Sequence, residues 1–163
     1  MIRIIPLENN DTKSIISWNT GKDADFLTQW SGKGYQYPIT VEQITARLAA
    51  DNADYEIYGI KLDDDLIGTI ELMRIDIKAK RGSIGRYLLY PAIAGKGYGS
   101  LALKLFVEKV FSETPINTLD LTVFDFNKPA IRCYEKTGFV KTTQSTRPNG
   151  WIAIRMEINR AGY

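Results

Sequence analysis

From Gly82 to Tyr90 the chain reads as a strand that stops at Pro91. A loop holding Gly95, Gly97 and Gly99 follows, and from Ser100 to Phe111 apolar residues recur at helical spacing (Leu101, Leu105; Ala102, Phe106, Val110). A strand that passes through glycines into a helix commits this half of the chain to an α/β arrangement. It also makes a place suited to an anion. The amides at a helix N-terminus lack intrahelical partners, the dipole adds about half a positive charge, and glycines let a pyrophosphate approach the backbone closely. Such a cradle needs no metal.

Around that unit the pattern predicts elements of both kinds. Ile2 to Ile5 reads as a strand, Asp11 to Trp18 as a helix, and Thr20 to Pro38 as an irregular stretch carrying Phe26, Trp30, Tyr35 and Tyr37. Thr40 followed by Gln43 is a capping-box pattern that opens a helix to about Ala50. Tyr55 to Leu62, a turn at Asp63-Asp64-Asp65, and Leu66 to Ile77 form a hairpin. Thr118 to Phe124 is a strand, Lys128 to Thr137 a helix stopped by Gly138, and Phe139 to Thr146 with Trp151 to Ile158 a closing strand pair. With no repeat or linker, the expectation is one domain over residues 1–163. Its class is α/β (α+β), a mixed sheet with helices on both faces.

Composition removes several chemistries. The chain has 0 histidines, which excludes His triads, His bases and His metal ligands. The one cysteine, Cys133, makes neither an intrachain disulfide nor a CxxC site, so a reducing, cytoplasmic setting is expected. Cys133 is offset ~100° around its helix from Tyr134 and reads as a small core residue, not a nucleophile. With 21 basic and 19 acidic residues and no charge run, no nucleic-acid partner is expected. No signal peptide or membrane-length apolar run is visible, so no membrane partner is expected either.

Gly-Lys-Gly-Tyr occurs twice, at Gly32 to Tyr35 and at Gly95 to Tyr98, and only the second lies between a strand and a helix. The first is assigned to a loop. Neither the Walker sequence nor G-x-G-x-x-G is present. The second copy resembles the acetyl-CoA pyrophosphate loop of the GNAT (GCN5-related N-acetyltransferase) superfamily, R/Q-x-x-G-x-G/A, aligned on Ala94, Gly97 and Gly99. Ala94 replaces the family's Arg or Gln, losing a side chain and keeping an amide. The run Asn127-Lys128-Pro129-Ala130-Ile131-Arg132-Cys133-Tyr134-Glu135-Lys136-Thr137-Gly138-Phe139 resembles the family's N-x-x-A-x-x-x-Y-x-x-x-G-F. In it Asn127 is placed to cap a helix, Pro129 sits near the first turn and Gly138 ends it. The resemblance covers roughly Ile67 to Ile158. More weakly, Trp30 after Asp25-Phe26-Leu27 and the strand Ile84 to Tyr87 resemble the branch of ribosomal-protein N-terminal and aminoglycoside acetyltransferases.

The resemblance implies a mostly antiparallel, twisted sheet of about seven strands with a splayed centre, the pantetheine arm of acetyl-CoA in the gap. Leu88, Leu89 and Tyr90 would pair with that arm, the loop Ala94, Gly95, Lys96, Gly97, Tyr98, Gly99 and Ser100 would hold the pyrophosphate, and Asn127, Ala130 and Tyr134 would complete the cosubstrate side. It also implies N-acetyl transfer to a primary amine by direct attack in a ternary complex, with Tyr134 as general acid. Glu71 is the first choice for a base that also contacts substrate, with a solvated strand face as the alternative. Trp30, Tyr35 and Tyr37 either hold the acceptor ammonium or simply pack their loop. The acceptor is a small-molecule amine, an antibiotic or a protein N-terminus, and a homodimer is possible. A CoA-binding sensor with this fold and little turnover is the alternative function.

Overall fold

The β-branched and aromatic runs pair into one seven-stranded sheet in the computed structural model, which describes Met1–Tyr163. The elements in chain order are β1 (Ile2–Pro6), α1 (Thr12–Asn19), α2 (Ala24–Ser31), α3 (Val41–Ala49), β2 (Glu56–Leu62), β3 (Asp65–Asp76), β4 (Arg81–Leu89), α4 (Tyr98–Glu113), β5 (Thr118–Phe124), α5 (Lys128–Thr137), β6 (Val140–Thr146) and β7 (Ile152–Asn159). The strand order is β1-β2-β3-β4-β5-β7-β6, antiparallel throughout except between β4 and β5. That parallel pair is joined only from Arg81 to Ser83, against Thr118 to Asp120. Beyond Ser83 the two strands part.

A bulge in β4 lies where they part. Thr69 pairs with Leu88 and Glu71 with Gly85, so two steps along β3 face three along β4. The extra residue falls at Arg86 or Tyr87, and Arg86 takes a left-handed φ of 42°. An extra residue of this kind bends its strand and raises the local twist, which turns the end of β4 away from β5.

Helices cover both faces. On one, Ala102, Leu103, Phe106 and Val107 of α4 pack against Ile70, Leu72, Leu119, Leu121 and Met156. On the other, Ile15 and Trp18 of α1, Leu27 of α2 and Ile44 of α3 gather with Leu7 and Leu88. Leu103 is fully buried, and its truncation to alanine would cost about 2–5 kcal/mol. No helix is long and apolar enough to cross a membrane.

The stretch from Thr20 to Pro38 departs from expectation, because it contains α2. Asp23 accepts a hydrogen bond from the Phe26 amide at 2.9 Å, and Leu27 and Ser31 face inward. Phe26, Thr28 and Trp30 weaken the helical signal of a segment this short, and packing supplies what propensity lacks. Helix α4 begins earlier than Ser100, at Tyr98, with Gly97 as its N-cap at φ 84°. Thr40 caps α3 through the Gln43 amide at 3.3 Å. The Gln43 side chain, however, ties down the preceding loop through Gln36 and Pro38.

Candidate active site

The parting of β4 and β5 opens a cavity of about 200 Å³. Its walls are Ile84 to Leu89 of β4 and Leu121 to Phe124 of β5, with Phe26, Gln29 and Trp30 of α2 on one side and Asn127, Ala130 and Tyr134 on the other. Backbone polarity follows from strand register. The Tyr90 amide donates to the Ile67 carbonyl at 2.8 Å, and Leu88 and Leu89 pair with Thr69 and Gly68. Polar groups of alternate residues point to opposite sides of a strand, so those of Leu88 and the Tyr90 amide face β3 and those of Leu89 face the gap. Of the three residues expected to pair with a pantetheine arm, Leu89 alone has its backbone free for it. The Tyr90 ring instead stacks on Trp18, with centroids 5.7 Å apart.

After β4 the chain makes a short turn from Pro91 to Ile93 before the glycines. The Ala94 amide, expected to join the cradle, donates to the Pro91 carbonyl at 3.2 Å and is closed off by that turn. Gly95 and Gly97 have φ of 81° and 84°, with no neighbouring atom within 4 Å of the place a Cβ would take. Glycine is needed there for its backbone conformation, not for want of room. The first intrahelical hydrogen bond of α4 runs from the Leu101 amide to the Gly97 carbonyl, so the amides of Tyr98, Gly99 and Ser100 precede it and have no intrahelical acceptor. The Tyr87 hydroxyl donates to the Gly99 carbonyl at 2.6 Å and ties this helix end to β4.

Helix α5 presents Tyr134 to the cavity. The Asn127 side chain accepts from the Ala130 amide at 3.4 Å, and Gly138 at φ 110° closes the helix, with the Phe139 amide reaching the Tyr134 carbonyl at 3.0 Å. The Tyr134 ring packs edge-on to Phe139. Burial first, then the neighbouring Cys133, pushes the Tyr134 phenol well above its ordinary range, so it is a neutral donor at neutral pH. Tyr87 is pushed up for the same leading reason. Cys133 is half-buried against the main core, and burial raises its thiol too, which keeps it in the less nucleophilic form.

Glu71 lies on the α1–α3 face of the sheet and does not border the cavity. Its side chain is 3% exposed, and its Oε1 accepts from Arg47 Nη2 at 2.7 Å and Arg86 Nη1 at 3.3 Å. This corrects the expectation of a cleft-facing base. A proton-accepting oxygen must reach the amine, and here the reactive edge is turned to two guanidinium groups. Tyr35 belongs to the same cluster. Its ring lies 5.4 Å from the Arg86 guanidinium carbon, and burial, followed by Glu71, raises its hydroxyl to about 12. Trp30 reaches the cavity, with its Nε1 held by Asn19 at 3.0 Å, and Tyr37 lies apart, 56% exposed. Arg47, Arg86 and Tyr87 were not foreseen. The one sign of Arg86 in the sequence is an arginine set between apolar neighbours in a strand.

A splayed mixed sheet, an open-amide loop at the start of α4 and a phenol in the gap define the architecture of the GNAT acetyltransferases. Residues 2–140 match the family model described as the acetyltransferase (GNAT) domain, and the chain belongs to that family. It is 29% identical over 147 residues to the probable N-acetyltransferase YjcK of Bacillus subtilis (strain 168), covering 86% of this chain and 81% of that protein. It is 30% identical over 92 residues to the SPbeta prophage-derived N-acetyltransferase YokL of the same organism, covering 56% of this chain and 51%, about half, of that relative. The spermidine N-acetyltransferase from Vibrio cholerae, solved in complex with CoA and spermine, superposes with a TM-score of 0.85 over 99% of this chain and 97% of its own, at 18% identity. At that identity the likeness speaks for the fold.

Proposed function

We propose that the protein transfers an acetyl group from acetyl-CoA to a primary amine by direct attack within a ternary complex. The observation that carries this reading is the β4–β5 gap, whose cavity is lined by Tyr134 and by Tyr87, the latter bound through its hydroxyl to the Gly99 carbonyl at the open-amide start of α4. The amides of Gly95 to Ser100 are suited to the pyrophosphate, and Leu89 offers backbone groups to the pantetheine arm. Acetyl-CoA supplies the thioester.

The amine nitrogen forms a bond to the thioester carbonyl carbon, and the carbon–sulfur bond breaks. Tyr134 gives its phenolic proton to the departing sulfur and regains one, through solvent, from the ammonium that attack creates. Burial, which holds the phenol protonated, suits an acid that must keep its proton until sulfur leaves. Glu71 serves this reaction by position, anchoring Arg47 and Arg86 behind the bulge. A cytoplasmic location and pairing of two copies belong to the same reading, with β6 the exposed outer strand that a second copy would extend.

The test is release of CoA thiol from acetyl-CoA in the presence of a mixed panel of amines, including spermidine and kanamycin, alongside a direct measurement of CoA binding. Thiol release that depends on both protein and amine is the expected result. Tight CoA binding with no release from any amine would replace the enzyme by a CoA-responsive sensor.

A further inference from the structure

Strand β5 turns Leu119, Leu121 and Val123 to the core under α4, so alternation puts Thr122 and Phe124 on the opposite face of the sheet. Helices α1 and α2 pack there on β3 and β4, while Thr122 and its β7 partner Arg155 are exposed. On this open strip three aromatic rings meet: Phe124 and Phe126 stack with centroids 5.7 Å apart, and Trp151 stands edge-on to both, at 4.8 and 5.1 Å. None of them belongs to either buried core, and Phe126 is 44% exposed. Single exposed apolar side chains are ordinary on a protein surface, whereas a contiguous group of large ones marks a place that meets a ligand or partner.

The neighbours of the cluster indicate what it meets. Phe124 borders the β4–β5 cavity, and Phe26 and Trp30 of α2 border it from the other side. Phe126 and Trp151 do not border the cavity; they extend the wall of Phe124 toward solvent, where the pantetheine arm gives no account of them. Sixteen residues line the cavity, and none is an aspartate or glutamate. Its one charged side chain, Arg86, is bound to Glu71. Asp120 of β5 is taken by Ser83 at 2.6 Å and Arg155 at 2.7 Å, and Asp125 lies outside the lining. A polycation entering here would lose water around each further ammonium with no carboxylate in the lining to replace it. An apolar ring gains by leaving water.

We infer that Phe124, Phe126 and Trp151 form the specificity surface for the acceptor and that the acceptor is a monoamine bearing an apolar ring, of the arylalkylamine class. The inference rests on the acetyltransferase reading and narrows it. The ring lies on the aromatic cluster, and the amine reaches into the gap toward the thioester. Offset or edge-on contact with Phe126 and Trp151 adds to what burial of the ring contributes.

Pairs that differ by a ring test this: 3-phenylpropylamine with propylamine and 4-phenylbutylamine with butylamine, with spermidine and kanamycin beside them. The intervening methylenes insulate the amine from the ring, so the members of a pair ionise alike. Thiol release gives kcat/KM, and calorimetry on the CoA-loaded protein gives Kd. The ring is expected to raise kcat/KM and tighten Kd about tenfold or more, the worth of burying one aromatic group. Trp151→Ala and Phe126→Ala are each expected to shrink that ratio about threefold or more, with CoA affinity within about twofold of the parent, and Phe126→Leu to fall between. Phe126 faces solvent, so its truncation leaves a folded protein to measure. Ring-bearing amines no better than their alkyl partners, a preference for spermidine or kanamycin, or a ring effect untouched in both alanine variants overturns the inference even if acetyl transfer is fast. Weakened CoA binding in these variants also overturns it, by giving the cluster to the adenine of the cosubstrate. Ring-dependent binding that these variants weaken, with no thiol released from any amine, overturns the enzyme and leaves the binding surface standing.

Discussion

A Cβ on Gly34 would lie 1.6 Å from Nη2 and 2.4 Å from the guanidinium carbon of Arg86, so the loop between α2 and α3 crosses this arginine through a residue that has no side chain. Arg86 has little freedom to retreat, because its side chain is 12% exposed and pinned to Glu71. Gly34→Ala is therefore expected to lower stability by about 1–3 kcal/mol, the usual cost of overpacking, in urea unfolding. A variant with parental stability would mean that the guanidinium moves aside freely.

Tyr134→Phe keeps the ring against Phe139 and removes the proton donor. Turnover number should drop about tenfold or more, within the range of general acid catalysis, with CoA affinity within about twofold of the parent. Thiol-release kinetics with parallel CoA titration separates the two quantities. An unchanged turnover number in the folded variant removes Tyr134 from the role of acid.

Glu71→Gln leaves two guanidinium groups facing a neutral amide. Breaking a buried ionic cluster on one side costs about 3–5 kcal/mol, so the melting temperature is expected to fall well below that of the parent. The activity that remains should keep the parental shape of its pH–rate profile, since the Glu71 carboxylate is turned to Arg47 and Arg86 and does not line the cavity. Loss of the ascending limb in that profile would return Glu71 to the place of the base.

Alkaline pH should unfold the protein through its buried phenols. Burial, then Glu71, raises Tyr35 from an ordinary 10.0 to about 12, and burial raises Tyr87 and Tyr134 as well. In the unfolded chain these groups ionise near 10, so above that pH the unfolded state binds fewer protons than the native one and stability declines. Their contribution is complete below pH ~10 and is lost progressively above it, through about 12 for Tyr35. Melting temperature followed across that range, with tyrosinate absorbance recorded together, checks this. The expected pattern is late ionisation of a subset of tyrosines coincident with unfolding.

Local sequence foretold some elements to the residue and missed one. The bounds of β5 and α5 agree with the sequence reading because Asn127 and Gly138 satisfy the helix ends from within the same short segment. Helix α2 escaped because its eight residues hold aromatics and a threonine, and it stands by packing Leu27 into a core assembled with α1 and α3. The partial match at Ala94 was read as keeping an amide available, yet whether an amide is free depends on the turn preceding it, where Pro91 accepts that bond.

By itself, the sequence determined the strand, glycine loop and helix that make an anion cradle, the capped helix that carries Tyr134, and the absence of histidine chemistry. These rest on backbone angles and hydrogen bonds settled among residues a few positions apart. Only the tertiary structure decided that Leu89 alone offers its backbone to the gap, that Glu71 turns from the cavity, and that Arg86 stands there as the single charge. Alternation along β3 tells which residues share a face but not what meets them. Arg47 comes to Glu71 from 24 residues away and Arg86 from 15, brought there by helix packing and by a bulge that no local pattern announces.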